Sequence, residues 1–186
     1  MTTAERRAFE QVLRRLPPLD GQPIGVQLLR APRVVRGGLR EGGTRGLAVH
    51  AGSFVRRRVI VLDAALPEKP GELARILVHE LFHFAWLRAG NELRRSWEEL
   101  LIAEKRRHAR GELGWSAESL KNAMEPLDAR NRTRRWREYA CESFCDSAAW
   151  MFAGLRRHEE FTLAPRFRLL RRAWFARAFG RAGISI

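Results

Sequence analysis

Apolar positions near the N-terminus recur at helical spacing: Phe9, Val12, Leu13 and Leu16 share one face of a predicted helix. Thr2 and Glu5 form a capping-box pattern ahead of it, and Pro17-Pro18 stops it. The pattern then shortens to strand-like runs at Ile24 to Leu29, Val34-Val35, Leu47 to His50 and Val59 to Leu62. Glycine pairs Gly37-Gly38 and Gly42-Gly43 punctuate these as turns or a loop. The last run is short, apolar and β-branched, which predicts a buried inner strand.

From Pro70 the pattern becomes helical again. Pro70 suits a first turn, Gly90 suits the position past the last one, and no proline interrupts the stretch between them. Ser96 with Glu99 reads as a second capping box, opening a helix whose apolar stripe holds Trp97, Leu100 and Leu101. Gly111 to Trp115 is a break, Ser116 to Ala123 a short helix, and Glu125 to Arg135 a charged loop. A further helix starts near Thr133 to Arg137 and runs to Phe152, and Pro165 to Phe179 forms a basic amphipathic helix with Phe167, Leu170, Trp174 and Phe175 inward.

This order predicts an α+β fold within a single domain, residues 1–186. A small mixed β-sheet and a central helix occupy 1–90, and a mostly helical part occupies 91–186. No fixed-period repeat occurs, so a solenoid is excluded. With no run of eighteen apolar residues and no secretory pattern after Met1, a transmembrane segment is not expected and the cytoplasm is the expected address. The net charge of +14 rests almost wholly on arginine, Lys69, Lys105 and Lys121 being the only lysines. Such a surplus is either solvated surface or an attraction for nucleic acid or anionic membrane. Cys141 and Cys145 do not indicate a disulfide framework and read as small packed residues.

The helix from Pro70 carries His79-Glu80-Leu81-Phe82-His83, an H-E-x-x-H pattern. Residues four apart share a helix face, so His79 and His83 can grip one metal ion, and Glu80 falls beside them. Two neutral imidazoles and a carboxylate suit Zn2+ and leave a fourth position for water, with Glu80 placed as general base. A third protein ligand is needed. The positions at which metzincins place a glycine and a third histidine hold Trp86 and Ala89, which rules out that class. Glu98, Glu99 and Glu104 lie on a polar helix and read as solvated surface. Glu138, Glu142 and Asp146 recur every fourth residue on an otherwise apolar helix, so cations or histidines are expected to face them.

Glu142-Ser143-Phe144-Cys145-Asp146 resembles the gluzincin signature, in which a ligand glutamate is followed four residues later by an aspartate. Asp146 would orient His79 or His83 through its free ring nitrogen. Glu138 is the rival ligand, with Glu142 then supporting the histidines. Residues 46–152 together resemble the gluzincin clan of zinc metallopeptidases, in particular minigluzincins and ImmA/IrrE-type peptidases. The resemblance implies a zincin-like fold, a peptide or protein substrate, and an edge strand, Leu47 to His50, that pairs with extended substrate. The interval between His83 and Glu142 is longer than in the smallest members. Tyr139 is a candidate catalytic hydroxyl, with His108 and His158 as other candidates. An alternative function is a SprT-like or non-catalytic zinc protein that binds nucleic acid through Arg132, Arg134, Arg135, Arg137 and the run from Arg166 to Arg172.

Overall fold

The computed structural model describes residues 2–36, 38–180 and 183–186. The elements in order are α1 (Thr3–Leu13), β1 (Leu19–Asp20), β2 (Gly25–Leu29), β3 (Pro32–Val35), β4 (Gly38–Glu41), β5 (Leu47–Ala48), β6 (Ala51–Phe54) and β7 (Val59–Asp63). There follow α2 (Pro70–Arg88), α3 (Asn91–Arg106), α4 (Trp115–Asn122), α5 (Asp128–Asn131), α6 (Arg134–Phe152), α7 (Pro165–Phe179) and β8 (Ile184–Ser185). The architecture is mixed α+β, and none of the described helices is long and apolar enough to cross a membrane.

The Thr2–Glu5 capping box forms in both directions, and α1 closes at Leu13. Among the described residues the strands make three small sheets instead of one. β7 is the inner strand of the sheet β2-β7-β6, parallel to β2 and antiparallel to β6, with Ile60, Val61 and Leu62 buried as its composition predicts. β3 pairs with β4 and β5 in a separate antiparallel sheet, and β1 joins β8 near the C-terminus. Gly37 lies outside the described residues; Gly42 and Gly43 follow β4 with positive φ.

The expected edge strand is therefore corrected. Ala51–Phe54, not Leu47 to His50, is the edge beside β7. The His50 carbonyl accepts from the Asp63 amide, so pairing with β7 begins only there, and Leu47 stands 70% exposed in the other sheet. Side-chain pattern misled here because the real edge, Ala-Gly-Ser-Phe, is held by backbone bonds and not by apolar alternation.

α2 is buried on nearly every side, as a helix between a sheet and another helix should be. Leu73, Leu77 and Leu81 join Ile60 and Leu62 in one core, which continues through Phe82 and Phe144 to Phe175. Pro70 opens the helix and Gly90 lies just past its C-cap, but without the left-handed conformation of a closing glycine. Ala89 ends α2, Arg94 donates to the carbonyls of Trp86 and Leu87, and Gly90 is the N-cap of α3. Because α3 starts at Asn91, Ser96 lies inside it and makes no capping box; its hydroxyl donates to Leu93 O and accepts from Trp174 Nε1. The charged loop from Glu125 contains the short helix α5.

α7 packs on the domain through Phe167, Trp174 and Phe175, whereas Leu170 is exposed and Arg171 takes the buried position. Arg171 is fully enclosed and donates to Glu104, Glu112 and Ser147. Glu112 also accepts from Lys121 and from the Tyr139 hydroxyl. Glu98, likewise buried, accepts from Trp136 Nε1 and Arg132. Reading Glu98 and Glu104 as solvated surface is thus wrong: each acid has a cation or ring N–H from a distant helix, which makes burial tolerable.

Burial alone would raise the Glu112 carboxyl, but Arg171 and then Lys121 overcome it and hold its pKa at about 2. A depressed folded-state pKa gives stability that is complete above the ordinary value of 4.5 and lost as pH falls towards 2. Denaturant unfolding across that range is expected to show this loss in the natural protein and a flatter profile in Glu112→Gln. Arg171→Met, which strands the buried Glu104 carboxylate and leaves Glu112 with Lys121 as its cation, is expected to cost about 3–5 kcal/mol at neutral pH in the same measurement.

Candidate metal centre

α2 and α6 lie against each other, and each contributes a pair of residues one turn apart to the seam. His79 and His83 come from α2, and Glu142 and Asp146 from α6. His79 Nδ1 sits 2.7 Å from Asp146 Oδ1. A carboxylate there accepts the Nδ1 proton and leaves the Nε2 lone pair free. That Nε2 lies 3.2 Å from His83 Nε2 and 3.2 Å from Glu142 Oε2, while Glu142 Oε1 is 3.8 Å from His83 Nε2.

A divalent cation with tetrahedral bonds of 2.0–2.2 Å needs donor atoms about 3.3–3.6 Å apart. The observed 3.2, 3.2 and 3.8 Å lie within about 0.2 Å of that range on either side, so His79, His83 and Glu142 could hold one metal ion after a small adjustment. The side chains are 14%, 19% and 23% exposed, open enough for a further ligand to approach. Burial opposes a charge on His79, but Asp146, Glu142 and Glu80 push its pKa well above 6.5. Burial likewise would raise Glu142, yet His79 and His83 bring it below its ordinary value. The excess negative charge that holds a proton on His79 is also what a cation would neutralise.

Glu80, next along α2, is buried, and its carboxylate accepts from the Ser53 hydroxyl at 2.5 Å. Ser53 belongs to β6, so the edge strand fixes the general-base candidate. Nothing in the sequence singles out this serine, since the contact depends on how sheet and helix stack. Asp146 is held in turn by the Ala117 amide of α4, 3.2 Å from Oδ2. Gly114, just before α4, packs so closely on the Asp146 carboxylate that any Cβ there would collide with it.

The remaining candidates fall elsewhere. Glu138 is exposed and paired with Arg134, which sets aside its reading as rival ligand or supporting acid. Tyr139 is buried and directs its hydroxyl to Glu112, 2.6 Å away, which places it in the core and not with the groups that converge at the seam. His158 pairs with Glu72, and His108 is exposed at the end of α3. The two cysteines have more than a packing role: Cys141 Sγ and Cys145 Sγ each lie 3.5 Å from His83 Nδ1. A hydrogen bond from Cys145 lowers the Cys141 thiol to about 6, against burial and with help from His83. Their spacing, one position ahead of Glu142 and Asp146, is the signal that could have placed them at the same seam.

Comparison with protein-family models, with curated proteins and with solved structures finds no match in any of the three.

Two predictions follow from the support around His79. Gly114→Ala should displace the Asp146 carboxylate and weaken divalent-cation affinity about 10–100-fold in a titration, as removal of Asp146 itself would. Cation affinity should also fall as pH drops, beginning above 6.5, because protons compete for a His79 whose pKa is raised.

Proposed function

We propose that the protein is a zinc-dependent metallopeptidase of the gluzincin type with a zincin-like fold. The observation that carries this reading is the convergence of His79 Nε2, His83 Nε2 and the Glu142 carboxylate at ligand spacing. Two imidazoles and one carboxylate are the donor set of a catalytic zinc, which needs three protein ligands and an open position. Zinc held there would supply Lewis-acid polarisation of a peptide carbonyl and of a water.

The chain's own groups do the rest. Glu80 accepts the proton that the attacking water loses and delivers it to the amide nitrogen as the carbon–nitrogen bond breaks. Ser53 keeps that carboxylate aimed and Asp146 keeps His79 in the tautomer that offers Nε2. β6, at the edge of its sheet and carrying Ser53, is where an extended peptide would add as a further strand.

Several arginines of the nucleic-acid alternative pair within the protein, although Arg132, Arg134 and Arg135 stay 46%, 86% and 41% exposed. Arg132 pairs with Glu98, Arg134 with Glu138, Arg135 with Glu125 and Asp128, and Arg171 with two buried acids. Arg168 donates to the carbonyls of Phe161 and Leu163.

Glu80→Gln should retain zinc at unchanged stoichiometry and lower cleavage of a peptide library, read by mass spectrometry, by at least about 10²-fold. Undiminished cleavage by that variant would refute the assignment.

A further inference from the structure

We propose that His83 Nδ1, Cys141 Sγ and Cys145 Sγ form a second cation site, selective for thiophilic d10 ions such as Cd2+, Cu+ or Zn2+, on the opposite edge of the His83 ring from the peptidase triangle. Both sulfurs stand 3.5 Å from the same ring nitrogen, and the three donor atoms lie within 4.8 Å of one another. Tetrahedral bonds of 2.3 Å to sulfur and about 2.0 Å to nitrogen place those atoms about 3.5 Å apart. The match is specific, because a ring nitrogen carrying one proton can direct it at only one sulfur, whereas an ion between them would use both at once.

The rest of the seam points the same way. His79 orients its Nδ1 with a carboxylate, the usual partner of a metal-binding histidine, but His83 meets two soft donors. α6 holds them one turn apart, Cys145 fully buried and Cys141 partly open, so that an ion can enter from the Cys141 side. Seating it forms two metal–sulfur bonds and one metal–nitrogen bond, and the protons still held by the two thiols and by His83 Nδ1 leave to solvent, with no change of oxidation state. The two sites draw on one imidazole, so an ion at the sulfurs acts directly on a ligand of the proposed zinc.

The test is a Cd2+ titration of the full chain, followed by thiolate-to-metal charge-transfer absorption, in three forms: natural, His79→Ala, and Cys141→Ser with Cys145→Ser. The band should appear and saturate in the natural protein, saturate at one equivalent in His79→Ala, and vanish in the double variant. Cd2+ should also protect Cys141 from alkylation in the natural protein, which tests the site without any substitution. Absence of the band and of protection in the natural protein, or a band that survives loss of both thiols, would overturn the proposal. The peptidase reading fails separately: in that case the double variant would bind no zinc, while the Cd2+ band in His79→Ala would persist.

Discussion

The contact on which the site depends is the hydrogen bond between His79 Nδ1 and Asp146 Oδ1, because it ties α2 to α6 and settles which ring nitrogen of His79 is free. With Nδ1 taken, Nε2 must face the seam, where His83 Nε2 and Glu142 are already within ligand distance. Asp146 can hold this position only because α4 supplies an amide and Gly114 supplies room. An insert between the H-E-x-x-H helix and the glutamate helix thus acts as the support of the site.

α6 carries two polar stripes through an apolar interior, and they serve different ends. Glu142 and Asp146 meet the histidines of α2, whereas Tyr139, Ser143 and Ser147 meet Glu112 and Arg171. The second group fixes α6 from behind. Arg171 joins α3, the segment before α4 and α6 in one desolvated cluster, in which every acid has a partner. Such clusters add little net stability compared with apolar packing, but they strongly penalise misplacement of any member. That penalty keeps the ligand-bearing face of α6 in register with α2.

Much of this was legible in the sequence, and the rest was hidden for identifiable reasons. Pro70 and Thr133 marked helix starts correctly, the apolar run at Val59 marked the inner strand, and the four-residue spacings of His79/His83 and Glu142/Asp146 placed each pair on one face. These are local signals, set within one or two turns. Glu104 reads as a surface charge and Arg171 as one member of a basic run because their partners lie on elements far away in the chain. Ser53 and the edge strand around it carry no apolar pattern, and the spacing of the cysteines offers a place at the seam but not their shared partner, His83.

The central claim is that three side chains converge on one divalent ion, and a crystal structure of zinc-loaded protein with anomalous data at the zinc edge addresses it directly. The account predicts an anomalous peak about 2.0–2.2 Å from His79 Nε2, His83 Nε2 and a Glu142 oxygen. A zinc-loaded crystal with no peak at that triangle, or with Glu142 turned away from a bound ion, would contradict it.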